Sequence, residues 1–224
     1  MRRFLCPDIP PIGQEVTLDE ATSHHVLRVT GIAPGEAVQL FDGAGTAVVA
    51  TLCGVAQGRA VLEVTSQAAA PAASRPVWLL PALVRPAAME TIVRMATEVG
   101  VVRITPLLSA RVVARGDKSA RWQRIAESSA SQCGRADVPM IDAPRTLADA
   151  LAALEGWSVC MCSPGTASQA LPDGPVALLV GPEGGWTDEE CAQVTESGAH
   201  ALGLGETTLR ADTAAIVALS RLMA

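Results

Sequence analysis

The chain has 224 residues, 49% of them hydrophobic, and a formal net charge of −6, which is room for two domains with full-sized cores and a balance that speaks against indiscriminate nucleic-acid binding. No run approaches the ~18 to 20 apolar residues of a membrane span, and the opening residues reach Pro7 and Asp8 too soon for the apolar stretch of a signal peptide. None of the cysteines at 6, 53, 133, 160, 162 and 191 forms a C-x-x-C pair, so a cytoplasmic protein with free thiols and no bound metal is expected.

The first 65 residues read as short strands separated by turns. VTL (16–18), AVQLF (37–41), AVVATL (47–52) and AVLEVT (60–65) are rich in β-branched residues. Gly35-Glu36, Asp42-Gly43 and Gln57-Gly58 punctuate them, and Asp42-Gly43-Ala44-Gly45 is a hairpin signal. One helix is expected over 22–29, where apolar residues recur at spacings of three and four. So many short strands in so few residues suggest a small barrel. The Ala- and Ser-rich stretch 66–76, closed by Pro76, reads as a linker. The boundary is placed between residues 70 and 71, giving domains 1–70 and 71–224.

Beyond the linker, strand and helix alternate. Strands are expected at 77–84, 102–108, 157–163, 176–181 and 200–205, and helices at 87–100, 118–133, 146–154, 187–198 and 211–224. Met89, Ile92, Val93, Ala96 and Val99 share one face of the first of these helices, and Gly100 caps it. Thr187 and Glu190 form a capping-box pair, and Gly198 stops that helix. Cys160 and Cys162, two residues apart, share a strand face as small buried hydrophobes. Repeated β–α units imply an α/β domain with a mostly parallel sheet.

Charge is segregated along the chain. Residues 103–145 carry eight basic side chains (Arg103, Arg111, Arg115, Lys118, Arg121, Arg124, Arg135 and Arg145) against four acids, whereas 146–209 carry nine acids and no Lys or Arg. The first segment is expected to face phosphates. Arg111 and Arg135 are its candidate RNA contacts, on the side of the ligand pocket but not expected to touch the ligand itself. Arg3 and Arg28, together with Arg2, His24 and His25, are candidates in the first domain.

Two segments carry the chemistry. In LLVGPEGGWTDEE (178–190) a buried strand ends in Gly181-Pro182-Glu183-Gly184-Gly185 and a capped helix follows at once. Glycines at a strand's carboxyl end let a ligand approach the backbone closely. No Lys-Ser/Thr follows the glycines, and Asp188, Glu189 and Glu190 open the helix, so phosphate is repelled. A ligand that is neutral or positive, such as a sulfonium compound, suits the loop. In LGLGETTLRADTAAI (202–216), Gly203 and Gly205 follow a short strand, and Leu209-Arg210-Ala211-Asp212-Thr213 leads into the last helix.

GPEGG after an apolar strand, followed about twenty residues later by LG-x(3)-LR-x-D-TA, resembles the C-terminal signature of the 16S ribosomal RNA uridine-N3 methyltransferases, in the SPOUT class. HHVLRV (24–29), METIVRMATEVGV (89–101), ITPLLSAR (104–111) and RWQRIAESSASQCGRADVP (121–139) agree in order, so the resemblance spans almost the whole chain. The resemblance implies an N-terminal PUA-like barrel that binds RNA and a C-terminal domain with a deep trefoil knot, one of the exceptions to unknotted chains. It further implies a homodimer with its active site at the subunit interface, S-adenosyl-L-methionine as cofactor, and small-subunit ribosomal RNA as substrate. Cofactor contacts are then expected from Gly181, Pro182, Glu183, Gly184, Gly185, Leu202, Gly203, Gly205, Leu209 and Thr213, with Gly184 the place where an added side chain excludes the cofactor. Arg210 is expected to hold a phosphate or the anionic edge of uracil. Glu183 and Asp212 are both candidates for accepting the N3 proton. Departures from the family are Ala88 and Met95, where relatives carry Lys, and Asp212, where Glu is commoner. Rival readings are a SPOUT enzyme acting on transfer RNA, at a ribose 2′-hydroxyl or a guanine, and a scaffold that has lost activity.

Overall fold

The computed structural model describes every residue except 72, 113–115, 164, 167–169 and 224. The chain forms two compact units. One comprises Met1–Ala72 with Ala130–Val138, and the other comprises Ala73–Ser129 with Pro139–Ala224.

The first unit is built on five strands: β1 (Arg3–Leu5), β2 (Glu15–Thr17), β3 (Ala37–Phe41), β4 (Ala47–Ala56) and β5 (Arg59–Gln67). They hydrogen-bond in the order β1-β3-β4-β5-β2. The β3–β4 turn falls on the expected hairpin residues: Asp42 Oδ1 accepts from the N–H groups of Ala44 (2.8 Å) and Thr46 (2.9 Å). At the β4–β5 turn Gln57 and Gly58 both have positive φ, 51° and 80°, the backbone sense that joins antiparallel strands without splaying them. Alternate residues of these strands point inward, so Val38, Leu40, Leu52, Leu62 and Val64 make a core with Phe4, Leu18 and Val26. Between β2 and β3, Asp19 caps α1 (Glu20–His24) by accepting from the Thr22 N–H, and His25–Val29 continues it as a π-helical turn. The expected helix therefore starts two residues earlier and widens halfway along. Strand β1 was not expected. Its three residues pair parallel with β3, Arg3 opposite Gln39, and a segment that short carries no usable periodicity.

Three arginines of this unit are committed to its own structure or surface. Arg135 is 5% exposed, and its guanidinium grips Asp137 through Nε–Oδ1 (3.1 Å) and Nη2–Oδ2 (2.5 Å). Arg3 Nη2 donates to the Arg135 carbonyl (2.7 Å), Nη1 donates to Gln39, and the guanidinium stacks 5.2 Å from the Phe41 ring centroid. Arg2 donates to the Thr30 carbonyl. Arg28 remains exposed.

The second unit holds a six-stranded sheet in the order β13-β11-β12-β6-β7-β9. Its strands are β6 (Val77–Pro81), β7 (Arg103–Ile104), β9 (Met140–Ile141), β11 (Ser158–Cys162), β12 (Val176–Val180) and β13 (His200–Leu202), and every pairing is parallel. A small parallel pair, β8 (Leu107–Leu108) and β10 (Arg145–Thr146), lies apart from it. The helices are α2 (Pro86–Val99), α3 (Ser119–Cys133), α4 (Leu147–Ala152), α5 (Asp188–Glu196) and α6 (Ala211–Met223). All five residues of β6 and of β12 are buried, as continuous apolar strands at the centre of a parallel sheet must be. One layer of core gathers Trp78, Leu80, Leu107, Leu147, Val159, Leu179 and Val194. Helix α6 packs against α2, β6 and β12. The expected strand 102–108 divides at Thr105-Pro106, where the proline lacks an N–H for a ladder. Gly100 ends α2 in the left-handed conformation, φ 119°. All six cysteines carry free thiols; Cys6, Cys160 and Cys162 are buried, while Cys53 is exposed and Cys133 and Cys191 lie between. Among the described residues, no helix is long and apolar enough to cross a membrane.

Candidate active site

Strands β11, β12 and β13 end side by side, and their carboxyl ends open into a cleft. Val180 to Glu183 with Gly185 and Trp186 form one wall, Leu204, Gly205 and Thr207 to Leu209 another, Cys162 and Ser163 a third, and Ala211 and Ala214 of α6 the floor. This is the position at which open α/β sheets hold their ligands. Among the described residues, Glu183 is the one charged residue on the lining and no cation stands there to meet a polyphosphate, so the cleft suits a ligand carrying positive charge.

The glycine loop is shaped by three local devices. Gly185 N–H donates to the Pro182 carbonyl (2.9 Å), closing a turn in which Gly185 takes φ +72°. Gly181 lies so close to Trp186 that a Cβ there would sit 2.8 Å from the indole Nε1, and that buried Nε1 has no partner among the described residues. The following helix is held by the expected capping box: Thr187 accepts from the Glu190 N–H, and Glu190 Oε2 accepts from the Thr187 N–H.

Glu190 does more than cap. It is buried, and its Oε1 accepts from the Ala110 N–H (2.8 Å). Beside it Arg111 Nη1 donates to the Gly184 carbonyl (2.7 Å). The segment after β8 is therefore stapled to the glycine loop twice, about eighty residues apart in sequence. Arg111, expected as an RNA contact, thus hydrogen-bonds a residue of the expected cofactor loop.

Of the expected cofactor residues, Gly181, Pro182, Glu183, Gly185, Gly205 and Leu209 line the cleft; Gly184, Leu202, Gly203 and Thr213 do not. Gly184 faces Arg111, whose Cβ and Cδ would lie 3.5 Å from an added Cβ. It is a neighbour of the cleft rather than its steric limit, and Gly181 takes that part instead. Leu202 is buried at the end of β13, and the Gly203 carbonyl accepts from Arg221 Nη1, which pins the strand end to α6. Thr213 is exposed, and its N–H donates to Asp212 Oδ1 (2.9 Å). Lining residues that sequence reasoning missed include Cys162, Ser163, Trp186, Leu204, Thr207 and Thr208. Trp186 directly follows the glycines and was open to detection as a flat apolar wall. Cys162 is a passive wall: burial, and then the neighbouring Cys160, pushes its thiol up to about 12, so it stays neutral.

A second, shallower opening shares Glu183, Thr208 and Leu209 with the first and adds Arg85 and Arg210. Arg85 Nη2 stands 3.6 Å from Glu183 Oε1, and Arg210 Nε stands 3.7 Å from Asp212 Oδ1. Both pairs are long and open to solvent on the arginine side, so each contributes little and exchanges readily. Asp212 borders neither opening. Sequence reasoning missed Arg85 because it precedes a helix 98 positions away from its partner.

Among the described residues of the basic segment 103–145, four arginines stand against acids. Arg103 is bidentate on Asp142, Arg145 stands near the same carboxylate, Arg121 pairs with Glu90 and Arg135 with Asp137. Arg115 lies outside the described residues. The phosphate roles expected of Arg3 and Arg135 are set aside, because buried or stacked guanidiniums with protein partners are structural.

Residues 71–223 match the model of an RNA methyltransferase domain. The chain is 34% identical to the ribosomal RNA small subunit methyltransferase E of a Synechocystis species, covering 95% of this chain and 74% of that protein. Identity to the protein of the same name from Mycobacterium bovis is 29%, with 96% and 88% covered. Among solved structures, ribosomal RNA small subunit methyltransferase E from Neisseria gonorrhoeae, bound to S-adenosyl methionine, superposes with a TM-score of 0.93 at 31% identity over 99% of this chain and 96% of that one. A methyltransferase from Legionella pneumophila in complex with the same cofactor superposes with a TM-score of 0.90 at 28% identity, covering 98% and 96%.

Proposed function

Because the chain belongs to the ribosomal RNA small subunit methyltransferase E family, we propose that it methylates N3 of a uridine in 16S ribosomal RNA with S-adenosyl-L-methionine as methyl donor. The observation that carries this reading is the pair of adjoining openings at the ends of β11, β12 and β13: one apolar with a single carboxylate, the other bordered by two guanidiniums.

The residues present fit the donor. Gly181 lets Trp186 pack directly on the loop, where any side chain would collide with the indole, the buried Trp186 Nε1 is a hydrogen-bond donor with no acceptor among the described residues, and Glu183 favours positive charge. Backbone groups of 202–205 and 209 serve the adenine edge in this reading. When bound, the cofactor supplies an electrophilic methyl group on a sulfonium. The protein's part is to orient the base and manage one proton. Uridine N3 is protonated at neutral pH, so its reaction needs a base for that proton and stabilisation of the negative charge left behind. Glu183, which borders both openings, is favoured over Asp212 as the acceptor, since Asp212 borders neither and accepts from the Thr213 N–H at the start of α6. Arg210 serves the charge on the base.

In the same reading the five-stranded first unit is a PUA-like barrel that binds RNA, with exposed Arg28 as one contact. The second unit is the SPOUT knot, its last helix tucked through the loops after β12 and β13. The protein works in the cytoplasm as a homodimer, supported by an α6 that is apolar on more than one face. Nucleoside mass spectrometry of ribosomal RNA from a deletion strain tests the activity: N3-methyluridine should vanish and return when purified protein is added to the strain's small subunits. A lost mark on transfer RNA instead would replace this substrate with another.

A further inference from the structure

The second opening has a hydrogen-bonding pattern of its own. Its charged border consists of Arg85, Glu183 and Arg210: two groups that only donate and one that, ionised, only accepts. Glu183 is 3.6 Å from Arg85 and also lines the first cleft, so the acceptor stands where the two openings meet. Thr208 and Leu209 supply the remaining wall.

We propose that Arg85, Glu183 and Arg210 together read the imide edge of the target base, Arg85 and Arg210 donating to its two carbonyl oxygens and Glu183 accepting from the N–H between them. This rests on the methyltransferase reading above and names what makes that site choose uridine. Uracil presents acceptor, donor, acceptor along this edge, the complement of donor, acceptor, donor. Cytosine presents donor, acceptor, acceptor and meets two like-with-like contacts in either orientation. Guanine, with acceptor, donor, donor, leaves one guanidinium facing a donor. Sites built on buried or confined hydrogen bonds reject analogues that leave a partner unsatisfied far better than apolar pockets do.

The same three residues suit the reaction that follows recognition. The N3 proton passes to a Glu183 carboxylate oxygen as the N3 electron pair forms the bond to the methyl carbon. The carbon–sulfur bonding pair stays on sulfur, leaving a neutral thioether, and Glu183 later releases its proton to solvent. Negative charge that develops on the two ring oxygens is met by Arg85 and Arg210, which are already in place. The ion pairs these arginines make in the protein alone are exposed, with Arg85 74% and Arg210 67% accessible, so the base displaces weak contacts rather than strong ones.

Arg85→Met keeps the aliphatic length and removes every donor; Arg85→Lys restores one. Three measurements use full-length protein. Calorimetry with S-adenosyl-L-methionine should give Arg85→Met an affinity within about twofold of wild type. Fluorescence anisotropy with a short RNA carrying the target uridine, and with the same RNA carrying cytidine or N3-methyluridine there, should show a wild-type preference for uridine that shrinks about tenfold in Arg85→Met. Single-turnover methylation of small subunits from the deletion strain should slow by roughly 10²-fold, with the rate recovering at high pH, where the base ionises unaided, and partly in Arg85→Lys. Wild-type discrimination, rate and pH profile in Arg85→Met would overturn the triad, as would loss of cofactor affinity in parallel with rate. Failure of the wild type itself to form N3-methyluridine would instead overturn the functional reading on which the triad rests.

Discussion

The guanidinium of Arg111 donates to the carbonyl of Gly184 across 2.7 Å, while one residue earlier the Ala110 N–H is held by buried Glu190. A basic residue singled out for phosphate contact thus braces the loop that shapes the cofactor cleft.

Removing the brace should loosen the loop without unfolding the chain. Arg111→Ala is expected to weaken S-adenosyl-L-methionine binding about three- to tenfold, the worth of one charge-assisted hydrogen bond of roughly 1 kcal/mol. The melting temperature should change little, as for most exposed sites. Calorimetric titration checks it, and affinity equal to wild type would show that the contact is incidental.

Glycine substitutions separate the wall of the cleft from its surroundings. Gly181→Ala places a methyl group 2.8 Å from Trp186 Nε1, so either the indole or the loop must move. Cofactor affinity should fall by more than about tenfold. Gly184→Ala meets Arg111 at an ordinary 3.5 Å and should bind nearly as wild type does. Equal losses in the two variants would contradict the assignment of Gly181 as the steric limit.

Acid stability should report on Asp142. Burial opposes ionisation of this carboxyl, but hydrogen bonds from Arg103 and Thr105 and the charges of Arg103 and Arg145 outweigh it and hold it below the ordinary carboxylate value. The group is less readily protonated folded than unfolded. Its stabilisation is therefore complete above the unfolded value of about 3.9 and disappears as the pH falls through the lower folded value. Asp142→Asn should cost roughly 1 to 3 kcal/mol in urea unfolding at pH 7, and the difference from wild type should close towards pH 2. A gap that stays constant with pH would mean that charge plays no part.

Two arginines of the first unit should behave oppositely. Arg28→Ala should leave stability within about 0.5 kcal/mol of wild type and flatten the slope of log RNA affinity against log salt by about 0.7 to 0.9, one phosphate contact. Arg135→Ala leaves Asp137 without its partner in a largely enclosed setting and should cost roughly 2 to 4 kcal/mol of stability. Finding the stability loss in Arg28→Ala and the salt effect in Arg135→Ala would reverse the placement of the RNA surface.

What the sequence by itself determined is local or strongly periodic. Thr187 and Glu190 mark a helix start because both partners of the capping box lie within four residues. Gly100 marks a helix end because only its backbone takes φ 119° at little cost. The unbroken apolar runs of β6 and β12 announce central parallel strands because both their faces are covered. The glycine loops were visible as a ligand site because glycines at a strand's end have a backbone reason to be there. What only the tertiary structure decided depends on partners distant in the chain. Arg135 and Arg28 look alike as isolated basic residues, and burial beside Asp137 separates them. The charge excess of 103–145 is a property of the string; in space Arg103, Arg121 and Arg135 are spent on acids, two of them on acids inside that same segment. Arg85 joins Glu183 across 98 positions, and Arg111 meets Gly184 across 73. Such meetings are set by which strands lie side by side, and strand order is a product of the whole sheet's packing rather than of any one segment's composition.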